Sequence, residues 1–263
     1  NNKISHVWLV PSILKSLLIL HKHSKIDLRN IGLKKIFIGT APIDYQLKKD
    51  FEKKFGIYPL ENYGLSETTF LSSEIFGDTK SQKKGYLGNK IRGIRIKVKK
   101  EKKNQFGEIL VKTPYLFQGY YKDGNLVKVK NNSYFPTGDI GKIENNLIKI
   151  IGRKKNIIKK GGVMILPSEI ENNVKSFSNF LEVACVKKNS FLYGEDFDLF
   201  VNLKKNNKIK NSKLKTFKNW YFKNFSKIFW PDIFYSINEF PKTGTGKIEI
   251  YKLNKLKYKK DAF

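Results

Sequence analysis

Cysteine occurs once in these 263 residues, at Cys185. No disulfide can close within the chain, and the setting of that thiol in the apolar run Val183-Ala184-Cys185-Val186 makes it a small buried hydrophobe. A reducing, cytoplasmic environment is the expectation. Histidine is nearly as scarce: His6, His21 and His23 lack cysteine or carboxylate company at ligand spacing, which argues against a zinc cage and against a Ser-His-Asp arrangement. No apolar run approaches the roughly 18 residues that span a bilayer, and no secretory signal pattern is present. Acidic residues are few, 23 against 52 basic ones, and only Arg29, Arg92, Arg95 and Arg153 of those 52 are arginine.

The resulting net charge of +29 would ordinarily point to nucleic acid or an anionic membrane. Here the lysines are spread along the whole chain among many Asn, Ile and Phe residues, which reads as a compositional bias on an ordinary solvated surface. Clusters over 97–103, 204–213 and 252–260 are expected to hold polyanions loosely and in a salt-sensitive way, with no specific nucleic-acid partner. A hydrophobic content of 40% over this length is enough for about two domains with real cores.

Along the chain, periodicity predicts a strand over 7–10, a helix from Pro11 and Ser12 to about Leu20, a strand over 35–38 and a helix from Asp44 to about Phe55: an α/β organisation. Between about Gly77 and Ile151 short β-rich runs (94–98, 108–111, 147–151) are separated by Gly, Asn and Lys turns, as in a small antiparallel sheet or barrel. Beyond Gly152 a helix opens at Pro167 with a Ser168-x-x-Glu171 capping box, followed by strands over 182–187 and 198–203, a helix over 212–225 and a strand over 233–237. That alternation is α+β. The reading therefore divides the chain into 1–76, the end of a large α/β domain; 77–151, a β-rich subdomain; 152–156, a hinge; and 157–263, a small α+β lid domain.

Four segments carry candidate chemistry. Pro241-Lys242-Thr243-Gly244-Thr245-Gly246-Lys247 lacks the glycine that a phosphate-cradling loop needs at 241 and the hydroxyl it needs at 248, where Ile248 stands. What remains is Gly244 and Gly246 freeing the backbone to present Lys247 to an anion, or else a plain hairpin with a solvated lysine. Glu61-Asn62-Tyr63-Gly64-Leu65-Ser66-Glu67-Thr68-Thr69 groups an aromatic ring, a hydroxyl and a carboxylate around a glycine, suited to a flat base, a phosphate and a hard cation. The alternative is a strand-to-helix turn capped by Ser66 or Thr68. Pro136-Thr137-Gly138-Asp139 places a carboxylate on a tight turn, fit to accept two hydrogen bonds from a ribose diol or to be an ordinary Asp turn. The run from Gly152 through Arg153, Lys154, Lys155, Asn156, Lys159, Lys160, Gly161 and Gly162 leads to Pro167, Glu169 and Glu171, and alone it reads as a basic inter-domain linker.

In order, spacing and wording these segments resemble the core motifs of the adenylate-forming (AMP-binding) superfamily, which holds acyl-CoA synthetases, carrier-protein adenylation domains and luciferases. Gly39-Thr40-Ala41-Pro42, Gly107-Glu108-Ile109 and Gly119-Tyr120-Tyr121 extend the likeness over nearly the whole chain. The resemblance implies that Gly39, Thr40, Ala41 and Pro42 border an adenine, that Tyr63 stacks on it beside Gly64, that Ser66 contacts phosphate and that Glu67 holds Mg²⁺. It implies that Asp139 and Arg153 meet the ribose, that Lys155 is a hinge, and that Lys159, Gly161 and Gly162 form the thioester-stage site and pantetheine passage. Lys247 would bridge the substrate carboxylate and the α-phosphate. The implied substrates are ATP, a small carboxylic acid, and CoA or a carrier-protein phosphopantetheine. The superfamily's Ser/Thr/Gly-rich phosphate loop has no counterpart here, so the chain resembles the C-terminal half of such a ligase and is expected to show little adenylation by itself. A silent, polyanion-binding fragment is the reading from a different class.

Overall fold

A computed structural model describes residues 4–24, 28, 32–40, 43–100, 105–130, 133–175, 177, 180–203, 211–244 and 246–256. Contacts divide it into two units, Asn1–Ile150 and Ile151–Phe263. The first contains β1 (His6–Leu9), α1 (Pro11–Ser24), β2 (Lys35–Ile38), α2 (Tyr45–Phe55), β3 (Leu60–Leu65), β4 (Thr69–Ser73), β5 (Asn89–Lys90), β6 (Arg95–Lys100), β7 (Gly107–Lys112), β8 (Gly119–Lys122), β9 (Asn125–Lys128), β10 (Phe135–Glu144) and β11 (Leu147–Arg153), the last running three residues past the division.

One nine-stranded sheet runs in the order β1-β2-β3-β4-β5-β11-β10-β7-β6, while β8 and β9 form a separate ribbon. The first three strands are parallel, with Trp8 opposite Phe37 and Ile38 opposite Glu61, because the helical crossovers α1, after β1, and α2, after β2, return the chain to the same end. Alternation sends Val7, Leu9, Ile36 and Ile38 to one face, where Leu14 of α1 and Phe51 and Phe55 of α2 cover them. In α2 the carboxylate of Asp44 caps the N-terminus by accepting from the Gln46 N–H at 2.7 Å, and Gly56, at φ 70°, ends the helix. Helix α1 extends four residues beyond the expected Leu20, through a last turn whose His21, Lys22 and His23 suit the negative end of the helix dipole.

The region 77–151, read from sequence as a small sheet or barrel of its own, is joined to the α/β part. Hairpin β3–β4 turns the sheet from parallel to antiparallel, and β4 passes it on to β5 and β11. Tyr63, Leu71, Ile94, Ile109 and Val111 make the core of this part.

The second unit holds β12 (Ile158–Lys160), β13 (Val163–Ile165), α3 (Pro167–Lys175), β14 (Phe180–Ser190), β15 (Gly194–Leu203), α4 (Asn211–Asn224), β16 (Phe234–Ser236) and α5 (Ile250–Leu256). The strands lie in the order β13-β12-β15-β14, with β16 parallel to β15. Strand β14 sends Val183 and Cys185 into a core with Phe197, Leu199, Phe217 and Tyr221, and sends Ala184 and Val186 to the opposite face with Phe200, Phe240 and Leu253. Both faces are therefore apolar. Cys185 is buried, and burial pushes its thiol well above the ordinary range.

The capping box predicted for α3 does not form. The helix begins at Pro167, so Ser168 lies one position inside it; its hydroxyl donates to the Ile151 carbonyl, and the Glu171 carboxylate accepts from the Cys185 N–H at 2.9 Å. Helix α5 was not anticipated from sequence. Among the described residues no helix is long and apolar enough to cross a membrane.

Candidate functional site

The Glu61 to Thr69 segment is a hairpin, which overturns the strand-to-helix alternative: neither Ser66 nor Thr68 caps a helix. Gly64 is required by close approach, since a Cβ there would lie 2.2 Å from the Thr69 carbonyl oxygen. The register shifts between Tyr63 and Gly64, and Thr69 takes φ 57° to complete the turn. Tyr63 is thereby buried with its ring in the core, and its hydroxyl donates to Asp139 Oδ2 at 2.6 Å.

Asp139 sits in a β-bulge and not on the tight turn expected. Within β10 the pairing to β7 slips between Pro136 and Ile140, Gly138 adopts φ 72°, and the Thr137 hydroxyl both donates to Ile109 O at 2.9 Å and accepts from the Asp139 N–H at 3.1 Å. The bulge leaves this carboxylate 2% exposed. Two motifs 76 residues apart in sequence thus meet in one hydrogen bond.

Ser66 is exposed and Glu67 half-buried at the hairpin turn. The Tyr120 hydroxyl donates to Glu67 Oε1 at 3.2 Å, and the Glu67 carbonyl accepts from the Phe117 N–H at 2.8 Å. No group of three or more His, Cys, Asp or Glu side chains able to hold a metal occurs among the described residues. A single accessible carboxylate such as Glu67 nevertheless suits Mg²⁺, which keeps waters and takes its remaining ligands from substrate phosphates. Gly39 follows β2 beside Trp8, whose Nε1 would lie 3.3 Å from a Cβ at that position, and Thr40 holds φ 72°. Ala41 and Pro42 lie outside the described residues.

A charged cluster behind this hairpin was missed in the sequence. Lys48, 1% exposed, donates to both oxygens of Glu74 at 2.6 and 2.7 Å and to Glu61 at 3.4 Å. Glu74 also accepts from the Glu61 N–H at 2.7 Å. Burial pushes Glu61 up to about 7 and raises Glu74, with the Lys48 charge opposing both. The signal was available: Lys48 falls on the buried stripe of α2 with Phe51 and Phe55, where a lysine needs a partner.

In the second unit Arg153, Lys155 and Lys159 are exposed, with Lys155 in a single 3₁₀ turn over Lys154–Asn156. Gly161 and Gly162, at φ 52° and 82°, form the two-residue turn of hairpin β12–β13, so the end of this run is folded and not linker, while its start lies at the division between the two units. Gly161 is pinned by its N–H to the Tyr193 carbonyl at 3.0 Å. Beside it, Lys160 is buried, paired with Asp196 at 2.7 Å and donating to the Trp230 carbonyl at 2.7 Å. Lys247 is exposed on a small hairpin closed by the Lys242–Ile248 bridge and by the Thr243 N–H donating to the Lys247 carbonyl at 2.8 Å. Of its two glycines only Gly246, at φ 83°, uses the left-handed region.

Fold and motifs together define a chain with the architecture of the adenylate-forming enzymes. Residues 1–121 match the family described as AMP-binding enzyme. The 2-succinylbenzoate–CoA ligase of Staphylococcus aureus is 26% identical over 255 residues, covering 96% of this chain and 49% of the ligase. ATP-bound MatB from Rhodopseudomonas palustris superposes with a TM-score of 0.79 at 22% identity, covering 96% of this chain and 51% of its own. The amide bond synthetase McbA from Marinactinospora thermotolerans does so with a TM-score of 0.76 at 18% identity, covering 95% and 52%. The chain spans about half the length of the curated relatives it matches.

Proposed function

We propose that this chain is the C-terminal half of an AMP-forming acid–thiol ligase: a carboxylic acid and ATP give acyl-adenylate and pyrophosphate, and a thiol then gives the thioester and AMP. The observation that carries the reading is the Tyr63–Asp139 hydrogen bond, which joins two of the motifs, 76 residues apart in sequence, at one place in the first unit. The relatives' names as CoA ligases favour CoA as the acceptor, with a carrier-protein phosphopantetheine as the rival. Supplying both thiols in competition separates them.

In this reading Tyr63 and Gly39 to Pro42 bind the adenine, Asp139 and Arg153 the ribose, and Ser66 a phosphate. Glu67 would hold Mg²⁺, which supplies positive charge to the phosphates. Lys155 is the hinge, and Lys159, Gly161 and Gly162 serve the thiol stage. Lys247 counters the repulsion between carboxylate and phosphate, of order 4 kcal/mol at about 4 Å and an effective dielectric near 20. Its exposed place on a hairpin leaves the ammonium available to an anion.

Lys247→Ala in the gene product is expected to slow acid-dependent pyrophosphate exchange by about 10²–10³. Thioester formation from preformed acyl-adenylate should be spared. An unchanged exchange rate would remove Lys247 from the first half-reaction.

A further inference from the structure

Strands β8 and β9 form a ribbon outside both larger sheets, in which seven of the eight strand residues are exposed. A ribbon so bare has little stability of its own. It is held at its base, where the Phe117 N–H donates to the Glu67 carbonyl at 2.8 Å and the Phe117 ring packs on Tyr120 and Phe135 at 4.7 and 5.8 Å. Its far end is a tight Asp123-Gly124 turn with φ 50° and 78°.

The register decides what each face presents. Tyr120 pairs with Val127, and the Tyr120 hydroxyl turns back to Glu67. Tyr121 pairs with Leu126, and Gly119 with Lys128, so the opposite face carries Tyr121, 78% exposed, Leu126, 42% exposed, and a lysine. Lys122, Lys128 and Lys130 form no ion pair among the described residues. An aromatic ring with a polar tip, an aliphatic side chain and unpaired ammonium groups on one projecting ribbon match the lipid–water interface of an anionic bilayer, where tyrosine sits at headgroup level and each nearby lysine adds attraction. A nucleic-acid platform would use the rings and lysines. It leaves Leu126, an aliphatic side chain beside Tyr121 on the same face, without a purpose.

We infer that the β8–β9 ribbon is a peripheral docking surface for anionic membrane, laid down on its Tyr121–Leu126 face. The test mixes the 263-residue chain with vesicles of phosphatidylcholine alone and of phosphatidylcholine with about one-third phosphatidylglycerol. Co-sedimentation is expected with the anionic vesicles and much less with the neutral ones. The double substitution Tyr121→Ser, Leu126→Ser should lower it about tenfold or more. Because Cys185 is buried, a Leu126→Cys variant accepts an environment-sensitive fluorophore at that one position, and its emission should shift to the blue on vesicle addition. Equal sedimentation of parent and double variant would reduce the binding to bulk charge and overturn the proposal. So would an unshifted emission, or Tyr121-dependent capture of a single-stranded RNA oligomer with no vesicle binding.

Discussion

Two carboxylates share one buried ammonium behind the β3–β4 hairpin, and the consequence is a titration inside the physiological range. Burial raises Glu61 from 4.5 to about 7, so the folded chain holds that proton more tightly than the unfolded chain does. The contribution of Glu61 to stability is complete below 4.5 and is lost as pH rises through about 7, with Glu74, also raised, acting in the same direction. Glu61→Gln keeps the shape and stays neutral. Relative to the parent it should gain stability as pH climbs through that window, by roughly 3 kcal/mol at full effect. Denaturant titrations on both sides of the window check this, and a difference independent of pH would mean that Glu61 stays ionised throughout. The sequence marks Lys48, on the buried stripe of α2, as a lysine in need of a partner, but not which carboxylate supplies it, since Glu74 is 26 residues away.

Among the elements, the β3–β4 hairpin depends on the absence of a side chain. Gly64→Ala would drive a Cβ into the Thr69 carbonyl, and the strands would have to part at a cost of about 1–3 kcal/mol. Gly77→Ala provides the contrast: its φ is 77° but the space is open, so only the left-handed penalty of about 1–2 kcal/mol applies. Thermal melts separate the two, because only the Gly64 substitution should also disturb the Tyr63–Asp139 contact, visible in the near-ultraviolet signal of the tyrosine. Elements with strong local signals were legible in the sequence. Strand β2, and helix α2 expected from Asp44 to about Phe55, fall where periodicity places them. Legibility failed where one motif fits two backbones. Ser168-x-x-Glu171 satisfies the capping pattern, yet both side chains bond to neighbouring strands, and Thr137-Gly138-Asp139 has turn composition inside a strand.

For the molecule as a whole, the second unit has two apolar clusters of its own, one on each face of its sheet. Residues 151–263 expressed alone are expected to unfold cooperatively, with coincident far- and near-ultraviolet transitions. Separate transitions would show that this unit does not close its own core. The first unit differs in kind, for its parallel strands are covered by α1 and α2 on one face, while Trp8, Phe37 and Phe70 stack at 5.1 and 4.5 Å on the other. Parallel sheets are normally buried on both faces. That half-open sheet accords with a chain spanning about half of its curated relatives.

The sequence by itself determined the α/β-then-β-then-α+β order, the motif set and the buried state of Cys185, because periodicity, turn glycines and short motifs are local properties of the chain. Only the tertiary structure decided that Tyr63 meets Asp139, that Lys48 binds two carboxylates and that one sheet runs through both parts of the first unit. Each of these depends on strand register and on burial, and both are set by contacts between residues far apart in the chain.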